Sequence, residues 1–213
     1  MLAAADLTQI DEGLWRWTTG HPEWSAGARP GSTADWPREV GSVAYASAGG
    51  LVVIDALVPE EGAEALWSWL DARHGEAGGR MAALTTIKWH RRSRDAFVAR
   101  YRASTSRAAR ALPAGVEAIP IEGAGETMFW LPEHAALVAG DRLLGGERAG
   151  ELRVCPASWL SYLPSGVGRA DVARALLPLL DLAVERVLVS HGPPALRGGR
   201  IAIERAIEAA CRP

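Results

Sequence analysis

Cysteine is scarce: Cys155 and Cys211 are the only two in 213 residues, far apart, and neither sits in a redox-type or metal-type pair. Both read as free, reduced thiols, and with no neighbouring histidine neither reads as a nucleophile. The chain also lacks a G-x-S-x-G elbow, a P-loop and a glycine-rich dinucleotide fingerprint. No apolar run approaches the roughly 20 residues of a membrane-spanning helix. The opening stretch MLAAADLTQIDEG has neither a basic leader nor an extended apolar core, so the expectation is a cytoplasmic protein without a secretory signal. A formal net charge of -2 gives no general attraction to nucleic acid or to an anionic membrane. Internal repeats and low-complexity segments are absent too.

What is present fits one ordinary globular domain over residues 1–213, with 48% hydrophobic and 23% charged residues. The charge is unevenly spread. Lys88, Arg91, Arg92, Arg94, Arg100, Arg102, Arg107 and Arg110 face a single acid, Asp95, across that stretch. The plain reading of such a run is a solvated helix face, with Arg94, Arg100 and Arg107 toward water; an anion site is the other. A nucleic-acid module would need exposed aromatics interleaved with the cations, and only Trp89, Phe97 and Tyr101 are available. Phe97 and Tyr101, four apart, suit the buried face of a helix better.

Short runs rich in branched and aromatic residues, bounded by Gly or Pro, predict strands at 13–17, 41–47, 50–57, 82–87, 116–121, 126–131, 135–140 and 184–190. Helices are predicted over 59–75, over 93–103 with Ser93 as cap, over 170–182 with a break near Pro178, and over 198–210. A hairpin turns at LPEH, where His134 is expected to be exposed. His74 falls near a helix C-terminus, which its charge suits. Residues 21–38 form a long loop of the kind that often carries function, and His21 within it has no assigned role.

The runs GSVAYASAGGLVVIDALVP, LTTIKWHRRS, FWLPEHAALVAGDRLLG and VLVSHGPP, in that order, resemble the landmarks of the metallo-β-lactamase fold superfamily over about residues 13 to 206. The resemblance implies an α/β (α+β) fold: a four-layer αββα sandwich of two mixed β-sheets flanked by helices, with a metal site at one edge. The superfamily signature is H-x-H-x-D-H after a strand, in which histidines two apart project to one side and the following Asp and His complete a cage for divalent ions. Here it is broken. In one register the four ligand positions hold Ile87, Trp89, Arg91 and Arg92; slipped by one, they hold Lys88, His90, Arg92 and Ser93. The histidine expected upstream of the hairpin is also missing, with only Glu122 and Glu126 nearby. Asp141 matches the acidic ligand that often bridges two metals, His191 the final histidine, and Asp55 an acid that braces the loops around the site.

A guanidinium about 5 Å from a dication is repelled by roughly 6–7 kcal/mol at an effective dielectric of about 20, and arginine does not escape by losing its proton. The favoured expectation is therefore a site without a metal cofactor. Its cationic pocket, built from Lys88, His90, Arg91, Arg92, Asp141 and His191, would bind a small anionic ligand, with Arg91 or Arg92, or else Lys88, hydrogen-bonded to Asp141. The alternative is a hydrolase with a single zinc or other divalent ion on Asp141, His191 and His90 or a glutamate. A third reading is a nucleic-acid or protein-binding module using residues 88–110.

Overall fold

The computed structural model describes residues 7–105 and 111–212. Five strands form the first sheet in sequential order: β1 (Thr8–Asp11), β2 (Leu14–Gly20), β3 (Glu39–Ser47), β4 (Gly50–Ile54) and β5 (Met81–Leu84). Its pairs are antiparallel except for parallel β4 and β5, whose connection carries α1 (Ala63–Glu76). After α2 (Arg94–Tyr101) come β6 (Glu117–Ile121), β7 (Glu126–Leu131) and β8 (Ala136–Ala139). A two-stranded ribbon, β9 (Leu143–Gly145) with β10 (Leu152–Val154), α3 (Arg169–Ala175), β11 (Arg186–Val189) and α4 (Gly199–Cys211) complete the chain. The second sheet has the order β11-β8-β7-β6, with β11 parallel to β8.

Alternation along the strands explains why these elements stack as four layers. In β4, Val52 and Ile54 enter a core shared with Phe129, Leu131, Val138 and Leu188 of the other sheet. Leu51 and Val53, pointing the other way, pack with Leu66 and Leu70 of α1 and Phe97 of α2. In the second sheet, Met128, Trp130, Leu137 and Val187 turn outward against Val172 of α3 and Ile203 and Ile207 of α4. Strands covered on both faces read as continuous apolar runs, and each large side chain so enclosed contributes about 1.5–3 kcal/mol. The expected αββα sandwich of two mixed sheets is the observed one. No helix among the described residues is long and apolar enough to cross a membrane.

All eight predicted strands and four helices are present, and the helix containing Pro178 breaks into a 3₁₀ turn at Leu177–Asp181. Strands β1, β9 and β10 were not anticipated; at three or four residues they are too short to impose a period. His134 corrects an expectation: it is buried, edge-on to Tyr45 at 5.3 Å and 3.5 Å from Asp11 Oδ2. The unforeseen β1 brings Asp11 over this end of the hairpin, and Arg186 joins them through Asp11 Oδ2 at 3.0 Å. Ser93 does precede α2, but its hydroxyl accepts the Val58 N–H at 2.9 Å and caps nothing. Arg94 is partly buried where exposure was expected, while Arg100 is half-exposed and paired with Asp71. Arg107 and Arg110 lie outside the described residues.

Candidate metal centre and its pocket

Parallel pairing gathers the functional side chains. Because β4 runs parallel to β5, and β8 to β11, their C-terminal ends deliver Asp55, the 85–93 segment, Asp141 and Ser190-His191 to one edge of the sandwich. Backbone bonds tie these ends together, from Gly41 N to Ser190 O (2.7 Å), Thr127 N to Thr86 O (2.8 Å) and Gly145 N to His191 O (2.9 Å). Asp55 and Arg92 both adopt positive φ, 50° and 40°, a region that non-glycine residues keep only when their surroundings enforce it.

Three buried side chains converge at this edge. One ligand atom from each of His90, Asp141 and His191 lies within 4.8 Å of the other two. The Nε2 atoms of His90 and His191 are 3.1 Å and 3.3 Å from the same oxygen, Asp141 Oδ1. Yet that buried oxygen has no well-directed hydrogen bond among the described residues. Its sister, Oδ2, accepts the indole N–H of Trp89 at 2.6 Å. Behind His90, Nδ1 meets Asp55 Oδ2 at 2.9 Å, and Asp55 also accepts from Thr86 N (2.8 Å), Thr86 Oγ1 (2.5 Å) and Ser190 Oγ (3.2 Å).

Charge follows this geometry. Burial pushes the Asp141 carboxyl up, but His90 and His191 outweigh it and hold the group well below the usual carboxylate range. Burial likewise works against an ionised Asp55, and His90 and Arg92 bring it down overall. Against its own burial, His90 is raised to about 9 by Asp141 and Asp55. Burial lowers His191 in spite of Asp141. Without a metal, then, His90 is an imidazolium between two carboxylates and His191 is neutral.

Of the residues expected in the pocket, His90, Arg92, Asp141 and His191 line it. Lys88 and Arg91 do not. Lys88 is exposed, with its ammonium 5.7 Å from the Trp89 ring, and Arg91 is exposed and pairs with Asp95 at 2.9 Å. Nor does Arg92 bond to Asp141: its guanidinium donates to Gly41 O (2.7 Å), Asp55 O (2.6 Å) and Ser190 Oγ (3.4 Å), on the Asp55 side of His90. The predicted arginine–Asp141 pair is thus replaced by Trp89, His90 and His191, because the turn at 87–93 sends Trp89 and His90 inward and Arg91 out. Glu122 is exposed, but Glu126 is fully enclosed and accepts the N–H groups of Gly140 (2.9 Å), Asp141 (2.7 Å) and Arg142 (2.9 Å), fixing the loop that carries Asp141.

The pocket of about 310 Å³ also takes in His21, Glu23, Thr33, Trp36, Val40, Trp89, Trp159 and Tyr162, so its walls are more aromatic than cationic. His21, Trp36, Trp159 and Tyr162 were not foreseen as a group, and the one cue was the length of the 21–38 loop that supplies the first two.

No protein-family model and no curated protein sequence matches the chain. Solved structures do match it over nearly its whole length. An NDM_FIM-1 like metallo-β-lactamase from Erythrobacter litoralis, in its mono-zinc form, superposes with a TM-score of 0.63 at 19% identity, covering 99% of this chain and 98% of that one. The chain has the metallo-β-lactamase fold. VMB-1 gives a TM-score of 0.64 at 12% identity, covering 97% of this chain and 96% of its own. FIM-1 from Pseudomonas aeruginosa, also in a mono-zinc form, gives 0.58 at 11% identity, covering 99% and 98%. At these identities the likeness establishes the fold, and the chemistry has to be argued from the residues in place.

Proposed function

We propose that the chain is a hydrolase with a single-metal centre held by His90 Nε2, Asp141 Oδ1 and His191 Nε2. The observation that carries this reading is the convergence of two buried imidazole nitrogens, 3.1 Å and 3.3 Å away, on one enclosed oxygen, Asp141 Oδ1. Bonds of about 2.0–2.1 Å at tetrahedral angles place ligand atoms roughly 3.3 Å apart, so both edges suit a shared ion. Three protein ligands with one position left open is the donor set of a catalytic zinc site, not of a closed structural one. Asp55 behind His90 is the carboxylate that a metal-ligating histidine normally has, orienting the ring and raising its basicity.

When bound, such an ion would polarise a carbonyl and acidify water. The chain's own residues position the ligands: Trp89 and Glu126 fix the two ends of the Asp141 side chain and loop. The electrostatic objection to a metal weakens once Lys88 and Arg91 lie outside the pocket; Arg92 still lines it, with its guanidinium bonded to the backbone carbonyls of Gly41 and Asp55.

The metal-free reading, a pocket for a small anion, is favoured by one specific feature: His90 sits within hydrogen-bond distance of carboxylates on both ring nitrogens, as a buried imidazolium would. Thermal denaturation separates the two. With a chelator-treated sample, adding Zn²⁺, Mn²⁺ or Fe²⁺ at about 100 times its dissociation constant stabilises the single-metal protein by about 2.7 kcal/mol. A melting temperature unmoved by every ion, but raised by inorganic phosphate, would favour the metal-free pocket.

A further inference from the structure

Two consecutive residues meet the two oxygens of the Asp141 carboxylate separately. The turn at 87–90, closed by the His90 N–H donating to Ile87 O at 3.0 Å, brings the side chains of both Trp89 and His90 onto Asp141. His90 Nε2 lies 3.1 Å from Oδ1, the oxygen that His191 Nε2 also approaches, whereas the Trp89 indole N–H donates to Oδ2 at 2.6 Å. One oxygen therefore faces the imidazole nitrogens and the other is capped by a donor. Glu126 accepts the N–H groups of Gly140, Asp141 and Arg142, so the carboxylate is held in this place from its backbone. Trp89 itself is 38% exposed and belongs to none of the three hydrophobic cores. Its polar end serves the site, and its ring is not part of the packing that holds the sheets together.

We infer that Trp89 is a positioning residue that selects the metal: by occupying Oδ2 it restricts Asp141 to binding through one oxygen, which favours four-coordinate zinc over ions such as Mn²⁺ that take more oxygen donors. This rests on the single-metal reading and deepens it. A carboxylate can meet an ion with one oxygen or with both. With one, His90, Asp141 and His191 supply three donors and leave the fourth tetrahedral position open. With both, they supply four, and an added water makes five, a set suited to ions that prefer higher coordination and oxygen ligands. Zn²⁺ already outcompetes Mn²⁺ for mixed nitrogen and oxygen donors, and the indole N–H widens that margin. The same hydrogen bond takes the oxygen through which Asp141 would bridge to a second ion, so the site holds one.

The test titrates Zn²⁺, Mn²⁺ and Co²⁺ separately into the chelator-treated full chain and its Trp89→Phe variant, with bound metal counted by mass spectrometry and cooperative thermal unfolding used to verify that the variant is folded. Losing an outer hydrogen-bond partner of a ligand lowers metal affinity about 10–100-fold. Zn²⁺ is expected to show that loss in full. For Mn²⁺ the freed oxygen offsets part of it, so the ratio of Zn²⁺ to Mn²⁺ affinity should fall about tenfold in the variant. Co²⁺ should give the intense visible bands of a four-coordinate ion in the wild type and the weak bands of higher coordination in the variant. Trp89→Leu, measured alongside, should match Trp89→Phe because both lose the N–H, and it carries the test if the first variant does not fold. A merely structural role would weaken all three ions alike. An unchanged affinity ratio, or one cobalt spectrum shared by wild type and variants, would overturn this inference alone; a wild type that takes up none of the three ions would overturn the single-metal reading and this inference with it.

Discussion

Glu126→Gln changes the end of one buried side chain from two acceptors to one acceptor and one donor. In the wild type, Oε1 accepts from Gly140 N, and Oε2 accepts from both Asp141 N and Arg142 N, all between 2.7 Å and 2.9 Å. A glutamine that keeps its oxygen on the second pair turns its amide N–H₂ toward the Gly140 N–H; the opposite placement strands two donors. Each stranded buried donor costs about 1–3 kcal/mol. The expected loss is about 2–3 kcal/mol, read as a fall of about 1 M in the urea midpoint for a slope of about 2–3 kcal/mol/M. Since the same carboxylate fixes the Asp141 loop, metal affinity should fall with it. A loss below about 0.5 kcal/mol, or full stability loss with metal affinity intact, would refute the claim that Glu126 positions Asp141.

Other perturbations probe separate parts of the account. Gly140→Ala sets a methyl group against Thr86 Oγ1, a residue bonded to Asp55, and against Glu126; an overpacking cost of about 1–3 kcal/mol is expected by chemical denaturation, and a neutral effect would contradict the close approach. In chelator-treated protein, the His90 pKa raised to about 9 makes a stabilising contribution that is complete below its unfolded value near 6.5 and disappears as pH rises through about 9. The melting temperature of that form should therefore fall between about pH 6.5 and 9, and His90→Asn should flatten the profile; an unchanged slope in the variant would assign the dependence elsewhere. Replacing Arg94 and Arg100 together by Gln should leave the urea midpoint nearly unchanged, because the Arg100–Asp71 pair is half in water. A loss of several kcal/mol would mean that the basic face is structural.

The layers were legible because runs such as LVVI and MFWL are apolar on both faces and lie near turn residues, and those patterns survive without knowledge of partners. Asp55, Asp141 and His191 were legible because each ends a strand in a recognisable phrase. His90 was named only as one option for a third ligand, beside a glutamate, since it matches a ligand position in only one of two registers and its placement depends on the turn that Arg92 shapes with its φ of 40°. The cations misled for the same reason: a run of arginines states how much charge there is, while a single turn decides that Arg91 meets Asp95 and Arg92 meets Asp55. Trp36 is far along the chain from Trp159 and Tyr162, and nothing short of the closed fold places all three on one wall.

The most direct measurement is the metal content of protein purified without chelator, by inductively coupled plasma mass spectrometry, beside the Asp141→Asn variant, which keeps the shape of the side chain and removes its charge. A single-metal centre on His90, Asp141 and His191 predicts about one equivalent of a divalent transition metal in the wild type and a small fraction of that in the variant. Metal well below stoichiometry in both, after growth with added zinc, manganese and iron, would contradict it.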